Sequence, residues 1–311
     1  MNLLFIVLGL ALLILGGNWL LKSAVGMSLM LHIPKIVIGM TVVSLATSAP
    51  ELIVSIKAAL NGFPDLAMGN VVGSNVANLG LVLAITIILM PIDVERSFYK
   101  TDWPVMMIAS CLLFGFVITD AVLQRYEGIV LVCFLVVFLV YLLRTQAKAV
   151  VEDTPTEDEV LPGYKILIFM VVGGIALWGG SELLISGAVG MAEFYGVSKR
   201  VIAVTVVSVG TSIPELAASI IAVLKKEKAI SLGNLIGSNV FNILAVLGVT
   251  AIIQPIHVND GQLLTNDIYW MLGISFVVLP LVFIPKGLRL GWRDGVVLLI
   301  IYILFVWLTL K

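Results

Sequence analysis

Apolar residues along the chain are gathered in ten stretches, separated by short polar connections. A membrane-spanning helix needs about 20 mostly apolar residues, because the hydrocarbon core of a bilayer is about 30 Å thick. The pattern therefore predicts an all-α integral membrane protein with ten transmembrane helices. The predicted spans are residues 2–21, 36–59, 66–91, 103–120, 126–143, 164–186, 200–224, 229–254, 268–285 and 293–310.

The longest polar connection, residues 144–163, separates two halves of similar size. It is acidic and contains proline, which is typical of a solvated loop. We therefore interpret residues 1–143 as a first five-helix repeat, residues 144–163 as an acidic linker, and residues 164–311 as a second five-helix repeat.

Two stretches, residues 66–92 and 229–259, contain no Asp, Glu, Lys or Arg and are longer than one span requires. Both begin with sequence that is rich in Gly, Ser and Asn. We expect tilted or interrupted helices in these stretches, rather than plain hydrophobic rods.

Composition supports the membrane assignment. Hydrophobic residues make up 60% of the chain and charged residues 12%, whereas soluble domains average about 45–50% and about 25%. The formal net charge of −1 provides no basic surface for nucleic acid. Cys111 and Cys133 lie in different apolar stretches, so neither a disulfide nor a metal site is expected of them.

Lys and Arg residues fall mainly on one side of the predicted spans. With the N-terminus outside, and Lys57 left out because it lies in a span, thirteen occupy inner connections and four occupy outer ones. Cytoplasmic loops carry such an excess. We expect a multi-pass protein of the cell (plasma) membrane, with both termini extracellular and the linker in the cytoplasm.

The two halves contain an internal repeat. With an offset of 164, residues 37–92 match residues 201–256 at 28 of 56 positions. Because each half has five predicted spans, an odd number, the second half enters the membrane from the opposite side. Inverted repeats of this kind usually bind their substrates near the bilayer midplane, between the two halves.

Each copy of the repeat places a carboxylate in an apolar span. Thr47 and Glu51 share one helix face because they are four residues apart, and Thr211 and Glu215 repeat that spacing. The proline before each glutamate has no N–H, so a carbonyl one turn earlier loses its usual partner. Hydroxyl, carbonyl and carboxylate oxygens suit hard cations such as Ca²⁺, Na⁺ or Mg²⁺.

The next span of each copy carries a polar stripe, within "GNVVGSNVANLG" (69–80) and "GNLIGSNVFNIL" (233–244). Polar residues recur there at every fourth position, which places them on one helix face. Two such stripes and two carboxylates could enclose an oxygen-lined cavity. The stripe residues are Asn70, Ser74, Asn78, Asn234, Ser238 and Asn242.

Structural roles compete with ion binding for some of these polar residues, because Ser, Thr and Asn also link membrane helices by hydrogen bonds. Glu51 and Glu215 are harder to explain in that way, since a charge at the bilayer centre costs about 2.5–3.5 kcal/mol even on insertion scales. The residues for which interhelical bonding is an equal alternative are Ser48, Asn75, Ser212 and Asn239.

The two carboxylates together carry a charge of −2 when both are ionised. One Ca²⁺, two Na⁺ or two protons would each cancel that charge, so the site favours alternate occupancy, as in an antiporter. A channel would instead need a continuous pore with several weaker sites.

The segments "GMTVVSLATSAPE" and "AVTVVSVGTSIPE", each followed by its GN-x-x-GSN stripe, resemble the paired repeats of the sodium/calcium exchanger family. This family belongs to the cation/calcium exchanger superfamily, and the resemblance covers essentially the whole chain. It is similar to the compact prokaryotic members. The resemblance implies a secondary active antiporter that exchanges Na⁺ for Ca²⁺ by alternating access, in which spans one and six slide against the rest.

The resemblance also implies one set of ion ligands in each repeat, with the backbone carbonyls of Ser44 and Ser208 taking part. It implies no catalytic residue, no enzymatic activity and no cofactor. The expected partners are Ca²⁺ and Na⁺, with H⁺ as an alternative, and the lipid bilayer; no obligate protein partner is expected. The implied ligands are Ser44, Thr47, Glu51, Ser74, Asn78, Ser208, Thr211, Glu215, Ser238 and Asn242.

Two positions depart from the family pattern. Ala46 stands where the motif usually has glycine, as Gly210 does in the second copy, and this could alter the unwinding around Thr47. Asn242 stands where some members, including the potassium-dependent branch, carry Asp. Two amides, at Asn78 and Asn242, argue against a potassium requirement.

The nearest rival is a H⁺/Ca²⁺ exchanger of the same superfamily. Such exchangers commonly carry an acidic residue where this chain has Gly73 and Gly237, which favours sodium. A cation channel or a non-transporting ion sensor is disfavoured by an inverted repeat with two central carboxylates.

Overall fold

The computed structural model is built almost entirely from helices, and it describes residues 2–145, 161–195, 210–284 and 287–309. Its helices before the linker are α1 (Asn2–Leu31), α2 (Lys35–Ile38), α3 (Ser44–Thr47), α4 (Ala49–Leu60), α5 (Pro64–Ala77), α6 (Ala84–Leu89), α7 (Trp103–Asp120) and α8 (Arg125–Thr145). Those after it are α9 (Gly163–Phe194), α10 (Ile213–Leu224), α11 (Lys228–Phe241), α12 (Gly248–Ile253), α13 (Ile268–Phe283) and α14 (Trp292–Thr309).

Wider π-helical turns interrupt or precede several of these helices. They are π1 (Gly39–Val43), π2 (Asn78–Leu83), π3 (Phe98–Asp102), π4 (Asn242–Leu247) and π5 (Leu263–Asp267). Four two-residue strands, which the sequence pattern did not predict, form two antiparallel pairs. β1 (Ile92–Asp93) pairs with β4 (Arg289–Leu290), and β2 (Val122–Leu123) pairs with β3 (Ile256–His257).

Within the described residues, eight helical segments are long and apolar enough to cross a membrane, or nine if α2 to α4 are counted as one broken span. Ten spans are therefore not confirmed. The second predicted span is divided at Ser48. The seventh is described only from residue 210 onward, where α10 has 12 residues and is too short to span alone.

The first and sixth spans are longer than predicted. α1 has 30 residues and continues to Leu31, and α9 has 32 residues and continues to Phe194. Both helices therefore continue beyond the predicted ends at residues 21 and 186. A lysine can extend its ammonium group to the membrane interface while its helix continues, and the first helix breaker after α1 is Pro34.

The bounds of the structural elements recur with the spacing of the sequence repeat. α10 begins and ends 164 residues after α4, and π4 begins and ends 164 residues after π2. Sequence identity at half of the repeat positions is thus accompanied by the same local backbone. Other pairs with this spacing are α5 and α11, α6 and α12, and β1 and β3.

One compact unit comprises Met1–Thr47 and Leu143–Asn234. Its long helices α1 and α9 pack antiparallel at backbone distance: a Cβ added at Gly173 would lie 2.7 Å from the nitrogen of Leu20. Small residues allow membrane helices to approach this closely. The Ser23 hydroxyl strengthens the pairing by donating to the Ile166 carbonyl at 2.8 Å.

The second compact unit comprises Ser48–Leu142 and Leu235–Lys311. Two of its buried carboxylates are helix caps: Glu127 accepts from the backbone N–H of Gln124 at 2.8 Å, and Asp294 from that of Gly291 at 2.7 Å. Such a contact, from the side chain of the third helical residue back to the N-cap amide, satisfies an N–H that the helix leaves unpaired. Both units contain residues from both sequence halves, and the boundaries of the two repeats stay a prediction.

Candidate ion-binding site

Glu51 and Glu215 lie in the first turn of α4 and α10, and both side chains are completely buried. Each helix begins after a serine, Ser48 or Ser212, whose ψ near 0° takes it out of the helical conformation. Each has a proline at its start, where the missing N–H is not needed. The N-terminal end of a helix carries partial positive charge, which stabilises a carboxylate placed there.

In the first unit, α11 crosses the segment that precedes the break at two glycines. A Cβ at Gly39 would lie 2.5 Å from the Ile230 carbonyl, and one at Gly233 would overlap the carbonyl of Ile36. Only glycine permits backbones to approach so closely. The crossing brings Asn234, on α11, against the two predicted ligands on α3.

The two predicted ligands, Ser44 and Thr47, both contact Asn234. The Thr47 hydroxyl lies 3.4 Å from the Ser44 carbonyl and 3.2 Å from the Asn234 side-chain oxygen. The Ser44 hydroxyl lies 2.9 Å from the Asn234 carbonyl. Oxygens that bind one Ca²⁺ at about 2.4 Å and at right angles lie about 3.4 Å apart, so the distance between the Thr47 hydroxyl and the Ser44 carbonyl suits two ligands of one hard cation.

Glu215 belongs to the same unit, where α10 contacts α3. Thr211 lies in the turn just before α10. Ser208, the remaining predicted ligand of this repeat's helix break, lies outside the described residues.

In the second unit, Glu51 lies on α4, which contacts both α5 and π4. The Asn70 amide donates to the Glu51 carbonyl at 3.4 Å. The predicted serine ligands, Ser74 and Ser238, are buried in this unit. The helix that carries the carboxylate therefore packs against the elements that carry the polar stripes.

Asn78 and Asn242, also predicted ligands, are the first residues of π2 and π4 and are completely buried. Their side-chain amides donate to Asn239 and Asn75, respectively, each at 3.1 Å. Asn75 and Asn239 also bridge helices α5 and α11 through their amides, as the interhelical alternative predicted. Single π-helical turns often occur at functional sites.

Sequence reasoning missed Ser55 and Ser219. The Asn70 amide donates to the Ser55 hydroxyl at 3.0 Å, and the Asn234 amide donates to the Ser219 hydroxyl at 3.2 Å. Both serines are buried, and each lies four residues after a buried glutamate, on the same helix face. Extending the i, i+4 series of threonine and glutamate by one more step would have found them.

The candidate ligands are almost all neutral oxygens. No group of three or more His, Cys, Asp or Glu side chains that could hold a metal occurs in the described part of the chain. Each unit instead holds one of the two predicted glutamate ligands, completely buried, together with hydroxyl and amide groups. Oxygen donors favour hard cations over transition metals, which prefer nitrogen and sulfur ligands.

The sequence model of the family described as "Sodium/calcium exchanger protein" matches residues 1–144 and 165–311. The chain belongs to the sodium/calcium exchanger family. The family assignment made from the repeat motifs is thereby confirmed. The exchanger is a multi-pass membrane protein and a cation/Ca²⁺ antiporter.

Curated relatives are similar to the exchanger along nearly its full length. A protein described as an antiporter, CaxA from Alkalimonas amylolytica, is 37% identical over 96% of this chain and 95% of its own. The sodium/calcium exchanger MaX1 from Methanosarcina acetivorans is 29% identical over 98% of this chain and 97% of its own.

The solved structure of the sodium/calcium exchanger from Methanococcus jannaschii is similar in fold to this exchanger, with a TM-score of 0.82 and 27% identity. The similarity covers 98% of this chain and 97% of the other. The helical membrane fold expected from the sequence is therefore confirmed in its class. The roles of the ten predicted ligands stay a prediction.

Proposed function

We propose that this exchanger couples the movement of Na⁺ to that of Ca²⁺ in opposite directions across the cell membrane. The observation that carries the proposal is the pair of fully buried glutamates, Glu51 and Glu215, each at a helix start among neutral oxygen donors. Together they carry a charge of −2, which one Ca²⁺ or two Na⁺ neutralise. The two cargoes then compete for the same ligands, as exchange requires.

The proposed ligands are the residues that match the family's sites. In the first unit, the short distances among Ser44, Thr47 and Asn234 support a role in ion binding. In the second unit, the burial of Asn78 and Asn242 supports it. The full proposed set is Ser44, Thr47, Glu51, Ser74, Asn78, Ser208, Thr211, Glu215, Ser238 and Asn242.

Sodium rather than protons is the proposed coupling ion. Gly73 and Gly237 stand where proton-coupled members of the superfamily carry an acid, and the amides of Asn78 and Asn242 do not titrate. MaX1 and the Methanococcus jannaschii protein are both named sodium/calcium exchangers. The two amides also lead us to propose that transport needs no potassium.

We further propose ten spans in two inverted five-helix repeats, with both termini outside. The recurrence of element bounds after 164 residues supports the repeat, and the uneven distribution of Lys and Arg supports the orientation. Cysteines introduced by Asn61→Cys and Lys225→Cys, at equivalent positions after α4 and α10, test it once Cys111 and Cys133 are replaced by alanine. A membrane-impermeant maleimide added to intact cells should label position 61 and not position 225; equal labelling contradicts the inverted arrangement.

Ion flux into proteoliposomes tests the coupling ion. Vesicles loaded with NaCl and diluted into choline chloride with ⁴⁵Ca²⁺ should accumulate calcium, and should do so equally with and without potassium. Vesicles that carry only a pH gradient should accumulate none beyond protein-free vesicles. Calcium uptake that follows the pH gradient and ignores sodium would establish the proton-coupled alternative instead.

A further inference from the structure

Four asparagines of the second unit form two interlocked hydrogen-bonded pairs. Asn75 donates its side-chain amide to the backbone carbonyl of Asn239 at 3.2 Å, and Asn239 donates to the carbonyl of Asn75 at 3.3 Å. The side-chain oxygen of Asn75 accepts from Asn242, and that of Asn239 accepts from Asn78, each at 3.1 Å. All four side chains are at most 1% exposed, so bulk water does not compete for these bonds. We call this arrangement the amide relay.

The backbone carbonyls set the direction of the amide relay. A carbonyl can only accept, so the nitrogen end of the Asn75 amide must face the Asn239 backbone. The side-chain oxygen of Asn75 then faces Asn242, which must donate a hydrogen bond from its amide nitrogen. The side-chain oxygen of Asn242 consequently points out of the relay. In the same way, the bond from Asn239 to the Asn75 carbonyl turns the Asn239 oxygen toward the amide nitrogen of Asn78, so the Asn78 oxygen also points outward.

Two side-chain oxygens, those of Asn78 and Asn242, take no part in the hydrogen bonds of the amide relay. The side-chain oxygens of Asn78 and Asn242 are buried and accept no hydrogen bond from any residue that the structure describes. A buried acceptor without a partner is unfavourable, and a cation would satisfy it. Helix α4, which carries Glu51, contacts the π4 turn that Asn242 begins.

We propose that Asn75 and Asn239 are positioning residues, which hold the amides of Asn78 and Asn242 with oxygen rather than nitrogen toward the ion. An asparagine amide is nearly symmetric in shape, so packing alone does not choose between its ends. The wrong end would present N–H groups, which repel a cation. The inference rests on the proposed function, since it gives these two residues a task only if Asn78 and Asn242 bind ions.

Calcium binding by the full-length protein in detergent, measured by ⁴⁵Ca²⁺ equilibrium binding, tests the amide relay. Asn239→Leu removes the acceptor that orients Asn78, and Asn75→Leu removes the one that orients Asn242. Each variant should bind Ca²⁺ about tenfold more weakly, since a misoriented amide removes one ligand. Met106→Leu and Met271→Leu are matched controls, because these sulfurs accept only long, weak bonds from the amides of Asn239 and Asn75, at 3.9 and 3.8 Å, whose direction the backbone carbonyls already set; both variants should bind as the parent does.

A second background separates orientation from helix packing. A carboxylate has no nitrogen end, so Asn78→Asp makes orientation at that position unnecessary. Asn239→Leu should therefore weaken Ca²⁺ binding much less when Asn78→Asp is present. A purely structural role for Asn239 predicts the same loss in both backgrounds, and that result would overturn the proposal.

Calcium binding by the unmodified protein distinguishes a failure of the proposed function from a failure of the amide relay. Absence of Ca²⁺ binding by the unmodified protein contradicts the proposed function, and the relay with it. Normal binding by the unmodified protein together with normal binding by Asn75→Leu and Asn239→Leu contradicts the relay alone.

Discussion

In the first copy of the repeat the helix is interrupted at one residue, Ser48, whereas in the second copy the turn covers two residues, Thr211 and Ser212. The backbone at the two serines is nearly the same, with φ of −87° at both and ψ of 1° and 4°. The residue before each Thr-Ser pair differs, being Ala46 in one copy and Gly210 in the other. The Ser-x-Pro-Glu pattern thus fixes where each helix restarts, whichever residue precedes the Thr-Ser pair.

The copies differ more at the far ends of α4 and α10. α4 is followed by neutral residues, Asn61 and Gly62, and α10 by Lys225 and Lys226. The buried faces near the break keep the same residue types, whereas the turns exchange glycine for lysine. The comparison teaches that the polar residue types near the break recur in both copies, while charge in the turns distinguishes their surroundings.

Removing either carboxylate is the strongest test of whether the two copies contribute equally. Glu51→Gln and Glu215→Gln each leave one of the two proposed carboxylate ligands, whose charge of −1 does not balance Ca²⁺. Each change should reduce sodium-driven ⁴⁵Ca²⁺ uptake in proteoliposomes to the level of protein-free vesicles. Both variants should remain monodisperse in size-exclusion chromatography, since glutamine has nearly the same shape. Normal transport by both variants would show that the assigned ligands are wrong.

Much of the candidate site in both copies could be predicted from the sequence, but not all of it. It predicted the two buried glutamates, the prolines beside them and the polar stripes, because the spacing of residues on a helix follows from its 3.6-residue period. It predicted tilted or interrupted helices in residues 66–92 and 229–259, but not π-helical turns at Asn78 and Asn242, since a single widened turn leaves the apolar pattern intact. The pairing of Asn75 with Asn239 was also hidden, because a pattern shows which face a residue occupies and not what it meets.

Equivalent glycines provide the second test, because their surroundings differ between the copies. A Cβ at Gly233 would overlap backbone atoms of α2 and π1, whereas one at Gly69 would meet only the Leu263 side chain, at an ordinary 3.6 Å. Gly233→Ala should therefore lower the free energy of unfolding by about 1–3 kcal/mol, the usual effect of overpacking. Gly69→Ala should have little effect. Thermal unfolding monitored by tryptophan fluorescence compares the two, and equal midpoints would contradict the close crossing at Gly233.

The smallest effect is expected in the turns after α4 and α10. Gly62 and Lys226 occupy equivalent positions, and both have positive φ, of 81° and 67°. The backbone bonds around them also correspond: the N–H of Phe63 donates to the Ala58 carbonyl at 2.9 Å, and that of Glu227 to the Ala222 carbonyl at 2.8 Å. This is the helix-ending geometry that glycine adopts without strain and other residues adopt at a cost.

Lys226→Gly should accordingly stabilise the protein by about 1 kcal/mol, because a left-handed backbone is unfavourable for a residue with a Cβ. Lys225→Gly is the matched control: it removes the same charge at a position whose φ is −87°, where glycine gives no such relief. Thermal midpoints of the two variants separate backbone strain from charge. If Lys225→Gly stabilises as much as Lys226→Gly, charge repulsion among the lysines is the cause. If only Lys226→Gly stabilises, the second copy keeps a strained lysine where the first has a relaxed glycine, which is expected if a positive charge is required in that turn for membrane orientation.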